Sequence, residues 1–382
     1  MTAIETVEVY AVRLPAIRDF SISGGKITSR GASTSRILVR VGAGGAYGWG
    51  EATPTPQWTY ETVESIFATI ERYLAPAVTG LPAWNLDGIA RAMDRAIASG
   101  FSTGMPLAKS AIDVAVHDLV GRLLGVPVHV LWGQRRTDRV PLGWIVSAAE
   151  PAAARDAVAE GAALGYRGFK VKVGHEPAVD AALVAAVRTA AGEQADLWVD
   201  ANQAYSVSEA LAFADAVRDC RVTAFEQPLR ANDVFGLQRL HARSSLPIAL
   251  DESLRHPADL LTFVVADAID IAIAKVQRNA GLTRSRQLCQ LAEHAGLRLM
   301  GSGLTDTEVG FAASVQLFAA FGIDRPVDLN GRQFVESAYA GDTTVRVEDG
   351  NALLPEGPGL GVDVDLDAVK SLCFDPGERG GR

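Results

Sequence analysis

Residues 196–226, DLWVDANQAYSVSEALAFADAVRDCRVTAFE, read as a strand, a helix and a second strand. DLWVD (196–200) and VTAFE (222–226) are short apolar runs, and each ends in an acid. The segment between them, 206–219, repeats its apolar residues at helical spacing. The same unit recurs in both directions. Strand-length apolar runs fall at 139–146, 168–173, 247–251, 269–275, 298–302 and, less clearly, 324–329. Helical segments fall between them at 149–164, 176–191, 231–243, 256–266, 280–295 and 307–321. Alanine-rich stretches such as AVDAALVAAVRTAAG end in glycine, a common helix stop. Seven strand–helix alternations closing on an eighth strand predict parallel β/α structure.

Alternation alone fits an open doubly wound sheet or a closed barrel. The strand ends favour the barrel. From the second strand to the sixth, each carries a polar residue at or near its C-terminal end. Strands far apart in an open sheet do not reach one site, whereas barrel strands ring a common mouth. The expected fold class is therefore α/β, a modified TIM barrel of (β/α)7β type over residues 126–330. Residues 1–125 read differently, as an α+β domain. TSRILVRV and AYGWGEA flank a glycine-rich turn and predict a hairpin, and 60–76, 84–98 and 105–124 predict helices. Near the C-terminus VRVEDGNALLPEGPGLGVDVD is strand-like, and the tail PGERGGR is expected to be disordered.

The chain has 382 residues, 48% of them hydrophobic, with a net charge of −9. That acidity argues against a nucleic-acid surface. MTAIETVEVYAVRLP lacks the pattern of a signal peptide, and no apolar run reaches the length of a membrane span. Cys220, Cys289 and Cys373 are odd in number and far apart, so a reducing, cytoplasmic setting is expected.

The chemistry lies at the strand ends. Asp200, Glu226 and Asp251 follow one another at intervals of 26 and 25 residues. A single strand-end Asp is as readily a helix N-cap. Three in consecutive strands suit a hard cation, Mg²⁺ or Mn²⁺, because no His or Cys stands at a strand end to favour zinc. Asn202 is a further oxygen donor two residues on, or a turn former. Lysines flank the acids: Lys170 and Lys172 in FKVKV, on one face of their strand, and Lys275 in IDIAIAK. Two close, buried ammonium groups repel, so one of the Lys170/Lys172 pair should have a depressed pKa and serve as a base. A base, an opposed acid and a divalent cation together suit abstraction of the weakly acidic proton α to a carboxylate. The cation would stabilise the resulting enediolate.

FKVKV, DANQAY, EQPL, LDES and AKVQRNAG together resemble the enolase superfamily, and within it the muconate lactonizing enzyme subgroup. GWGEA (48–52), AIDVAVHDLVGRLLGVPV (111–128) and GPGLGV (357–362) extend the resemblance to essentially the whole chain. The resemblance implies that residues 1–125 form a capping domain completed by 331–382. It implies that Asp200, Glu226 and Asp251 bind Mg²⁺ and that Lys172 and Lys275 are the acid/base pair. Lys170 would lower the pKa of Lys172 and contact the substrate carboxylate. Family members are commonly homo-oligomers.

Two departures bear on substrate. Asp306 replaces the Glu of a Met-Leu-Glu motif at the seventh strand. Asp328-Leu329-Asn330 replaces the Asp-x-Asp with which dipeptide epimerases hold an ammonium group. Ala280 also stands where a glycine is usual. Trp58, in the capping segment 53–60, and Trp144, at the first strand end, are candidate substrate contacts, with packing roles equally open. The expected activity is racemisation or epimerisation of a small carboxylate, an amino-acid derivative. Dehydration of a β-hydroxy acid and lactone cycloisomerisation are alternatives at the same site.

Overall fold

The computed structural model describes residues 2–100 and 103–377. The hairpin comes from Ser33–Ala43 and Ala46–Ala52, with Thr6–Pro15 as a third, antiparallel strand beside the first of these. Gly44 and Gly45 form the turn at φ 57° and 77°. A two-residue turn with positive φ at both positions matches the twist of its strands, and glycine adopts it without strain. The helix Pro106–Leu124 lies across this sheet at unusually close range. A Cβ on Gly50 would stand 1.8 Å from the carbonyl oxygen of Ala111, and one on Gly48 2.1 Å from that of Ala115. The glycines of GWGEA thus let strand and helix backbones touch.

Segment 17–30, which carries no strand signal, holds a small hairpin, Phe20–Ile22 with Gly25–Thr28. It reaches over the mouth of the barrel. Arg18 pairs with Glu160, Ser147 Oγ donates to Ser21 O at 2.8 Å, and Ser23 Oγ donates to Ala201 O at 2.9 Å.

The barrel strands are Gly143–Val146, Gly168–Lys172, Asp196–Asp200, Phe225–Glu226, Ile248–Leu250, Ile271–Ala274 and Arg298–Gly301, paired in parallel and in chain order. Residues 327–328 close the ring. Val327 N donates to Pro141 O at 2.9 Å, and Asp328 N donates to Gly301 O at 3.0 Å. The expected eighth strand is thus only a pair of bridges. Pro326, just before it, has no N–H to extend the ladder. The expected first strand also divides. Arg139–Pro141 turns aside to pair with Asn351–Leu353 of the C-terminal segment, and Gly143–Val146 alone enters the barrel. The helices Pro151–Ala163, Pro177–Ala191, Val207–Ala216, Val234–His241, Pro257–Val265, Leu282–His294 and Glu308–Phe321 fall where the periodicity places them.

The barrel interior is layered. Trp198, Ala224, Ala249, Ile271, Ile273 and Met300 form an apolar cluster of their own. A step of two along a strand keeps the same face. The next inward residues are Asp200, Glu226, Asp251, Lys275 and Ser302, so an apolar floor carries a charged upper layer. Trp198 fills the floor, and a Cβ on Gly143 would meet its ring at 2.1 Å. After the barrel the chain returns to the N-terminal sheet, where Phe374 N donates to Ala11 O at 2.9 Å. From Glu378 on, the tail expected to be disordered lies outside the described residues.

Candidate active site

The parallel register sets Lys172 beside Asp200 and Asp200 beside Glu226. Lys170 Nζ reaches Asp200 Oδ2 at 2.9 Å, Glu226 Oε1 at 2.7 Å and Asp328 Oδ2 at 2.6 Å. Lys172 Nζ donates to Asp200 Oδ2 at 2.7 Å and to Asn202 Oδ1 at 3.1 Å. Opposite them, Lys275 Nζ donates to Asp251 Oδ2 at 2.6 Å. Lys172 ends the second strand of the ring and Lys275 directly follows the sixth, four strands away, and so the two face each other across the mouth.

Two residues join the site that no strand end announces. Arg278 Nη1 lies 2.6 Å from Asp251 Oδ1 and 3.9 Å from Glu252 Oε2. Glu252 Oε1 accepts from Asn202 Nδ2 at 3.0 Å. Both lie in loops after their strands, where a period of two no longer marks the inward face. Their presence in LDES and AKVQRNAG was the available signal.

Burial and the like charges of Asp200 and Asp251 push Glu226 well above the usual carboxylate range, against the pull of Lys170. Burial acts on Asp200 in the same sense, but Lys170 and Lys172 outweigh it and hold this acid low. Burial alone would depress Lys170. Asp200, Asp328 and Glu226 reverse that and hold it well above the ordinary ammonium value. The expected depression is therefore not at Lys170. It falls on Lys275, through burial first and then the charges of Arg278 and Lys170, partly opposed by Asp251.

Trp58 roofs both lysines. Its ring centroid is 4.6 Å from Lys275 Nζ and 5.5 Å from Lys172 Nζ. Phe20, from the small hairpin, stands 5.7 Å from Lys172 Nζ. Trp144 is not brought to the lysines. It points out of the barrel against Tyr166 at 5.0 Å, and a Cβ on Gly161 would touch its ring. Residues 143 and 145 face inward, so strand alternation sends 144 outward. Asp306 is buried, accepting from Gln277 Nε2 at 2.7 Å and Leu304 N at 3.0 Å, and burial with Glu51 nearby pushes it up to about 7. Gln277 in turn accepts from Thr53 N at 2.7 Å, which ties the capping strand to the barrel. Asp328 is engaged by Lys170, and Asn330 opens the short helix Gly331–Phe334 two residues beyond.

Left-handed residues cluster at the mouth: Asn202, Gln203, Gln227, Ala280 and Thr305, at φ 42°, 72°, 36°, 63° and 60°. Such strain gathers at functional sites. At position 280 a glycine would adopt this conformation without strain. Ala280→Gly is expected to raise stability by about 1 kcal/mol, the scale of the left-handed penalty. Urea unfolding checks it, and a lowered midpoint would count against local strain.

Among the described residues, no group of three or more His, Cys, Asp or Glu side chains stands in metal-holding geometry as it is. Lys170 occupies the space between Asp200, Glu226 and Asp328, and Lys275 is paired with Asp251. The donor set nevertheless fits Mg²⁺. It is all oxygen, and burial among like charges leaves Glu226 short of positive charge.

Residues 152–368 match the family described as enolase C-terminal domain-like. Residues 7–133 match the N-terminal domain of mandelate racemase / muconate lactonizing enzyme. Muconate cycloisomerase 1 of Rhodococcus opacus is 32% identical over 377 residues, 97% of this chain and 98% of that protein. The crystal structure of N-succinyl Arg/Lys racemase from Bacillus cereus has a TM-score of 0.91 at 27% identity, with 98% of each chain covered. Dipeptide epimerase from Enterococcus faecalis, solved with Mg and L-Leu-L-Tyr, has a TM-score of 0.87 at 29% identity, covering 94% of this chain and 99% of that one. No helix among the described residues is long and apolar enough to cross a membrane. This chain belongs to the muconate lactonizing enzyme subgroup of the enolase superfamily, and it is an isomerase.

Proposed function

We propose that this protein is a Mg²⁺-dependent racemase or epimerase acting at the α-carbon of a small carboxylate, an amino-acid derivative. One observation carries the reading: Lys172 and Lys275 stand across the mouth from each other under a single indole ring. A carbon held between them can lose its proton to one lysine and regain a proton from the other on the opposite face, which inverts the centre. Lys275, depressed by burial and by Arg278, exchanges its proton nearer neutral pH than a free lysine does. Lys170, held as an ammonium by three acids, is a fixed positive charge beside the reacting carboxylate. Mg²⁺, held by Asp200, Glu226 and Asp251, would supply further positive charge there as the α-proton leaves. Trp58 and Phe20 keep water from the lysines.

Cycloisomerisation is the second reading, favoured by the identity with the Rhodococcus enzyme along the whole chain. Incubation in D₂O with Mg²⁺ and a panel of α-amino-acid derivatives tests the first. Deuterium is expected at the α-carbon together with loss of optical purity, both abolished by EDTA. No exchange alongside conversion of a diene diacid to its lactone would rule racemisation out, and exchange that survives EDTA would rule out the Mg²⁺ dependence.

A further inference from the structure

A second cleft lies at the far end of the barrel from the lysines. Arg139–Pro141 pairs with Asn351–Leu353, which pairs in turn with Val347–Glu348. The three strands form a small antiparallel sheet where the C-terminal segment meets the barrel. Arg139–Pro141 leads directly into Gly143–Val146, so the sheet sits at the N-terminal ends of the barrel strands. The turn at Asp349 packs there too, and a Cβ on Gly165, just before the second strand, would meet it at 2.6 Å. Barrel chemistry belongs to the other end, so a ligand here would not be the substrate of the lysines.

The register sets three side chains in a row across this sheet. Arg139 is opposite Leu353 on one side. On the other side Leu353 N donates to Arg346 O at 2.9 Å, which sets Arg346 opposite Leu353 as well. Directly opposed residues share a face. All three line one cleft, about 980 Å³ with its mouth included, together with Arg135, Thr343 and Thr344. Adjacent strands stand about 5 Å apart, so the two outer arginines are about 10 Å apart at the backbone.

The charge of the cleft is not fully matched. Arg135 lies 3.3 Å from Glu356 and 4.0 Å from Asp138, the two acids of the wall. Arg346 has only Glu348, at 3.6 Å in an exposed pair, and such pairs contribute little. Arg139 has no ion-pair partner among the described residues. Three guanidinium groups thus face two carboxylates, in a chain whose net charge is −9. A guanidinium fork is matched by a carboxylate or a phosphoryl group, through two parallel hydrogen bonds.

We propose that Arg139 and Arg346 bind a small anion charged at both ends, with a carboxylate or a phosphoryl group at each end, laid across Leu353. Each guanidinium takes one end, the apolar Leu353 lies under the middle, and Thr343 and Thr344 offer hydroxyls. The bound anion joins the strand that enters the barrel to the C-terminal segment, and it stabilises the fold from outside the site of the lysines.

The test titrates the Mg²⁺-loaded enzyme by calorimetry with glutarate and with 3-phosphonopropionate. Acetate and methylphosphonate are the one-ended controls. The two-ended ligands are expected to bind with Kd below about 1 mM. They should bind about tenfold more tightly than the controls, because the second end binds within the same complex. Tm should rise with their concentration. The tighter of the two identifies the preferred terminal group. Arg139→Gln and Arg346→Gln each leave one end without its fork and should each weaken binding about tenfold, with Mg²⁺ affinity unchanged. Binding that persists undiminished in both variants would put the anion elsewhere, the barrel mouth included, and overturns the proposal. Equal affinity for one-ended and two-ended ligands overturns it as well, and so does the absence of binding up to about 10 mM. The comparison of ligands on the wild-type enzyme decides the matter even where a variant folds poorly.

Discussion

Lys172→Ala and Lys275→Ala are each expected to lower kcat/KM for racemisation by about 10²–10⁴-fold, the scale of a lost general acid or base. The two losses should differ in handedness. Each lysine faces one side of the α-carbon, so each single variant can still exchange the α-hydrogen of the enantiomer that presents it to the surviving lysine. In D₂O, Lys172→Ala should wash deuterium into one enantiomer and Lys275→Ala into the other, while neither interconverts them. The double variant should do neither. NMR of resolved enantiomers makes the measurement. Both residues are buried in ion pairs, so circular dichroism and Mg²⁺ binding must show intact protein. Single variants that still racemise at wild-type rates, or that share one preference, would remove the two-base mechanism.

Lys170→Met is expected to destabilise the protein by about 3–5 kcal/mol, the cost of breaking a buried ion pair from one side. Lys170 is fully buried, and Asp200, Glu226 and Asp328 close on its ammonium within 2.9 Å. Without it Asp200 and Glu226 lose the charge that pulls their pKa values down, and both folded-state values rise. An acid whose pKa is raised on folding favours the fold below its unfolded pKa, near 4, and loses that advantage as pH rises through the folded value. The deficit should therefore be larger at pH 8 than at pH 5.5. Mg²⁺ should recover part of it, because a divalent ion replaces the missing charge. Urea midpoints at both pH values, with and without Mg²⁺, test this. A variant as stable as wild type, or one indifferent to Mg²⁺, would show that Lys170 is not the charge that holds the acids together.

Much of this site was legible because a strand repeats every two residues and a barrel gathers strand ends. DLWVD, VTAFE, PIALD and IDIAIAK place an apolar residue and then a charged one on the same face, and the floor of Trp198, Ala224, Ala249 and Ile273 under Asp200, Glu226, Asp251 and Lys275 follows from that alone. Loops have no such period. Arg278 and Glu252 enter the site from turns, and the hairpin Phe20–Ile22 with Gly25–Thr28 is too short and irregular to signal itself. Trp144 shows the limit of reading a strand end by position, since it ends up against Tyr166 outside the barrel while its neighbour at 143 faces inward.

The alternation of strand and helix through the barrel, its layering, and the identity of the acids and lysines at its mouth are written in the chain's local pattern. These depend on local period and on residue type, which are properties of the chain. The opposite shifts of Lys170 and Lys275, the pairing of Asp328 with Lys170, and the cover of Trp58 over the lysines emerge only on folding. Those depend on charges and rings brought within a few ångströms from positions far apart in the chain. Coulomb and desolvation energies change with distance and burial, which no local pattern encodes.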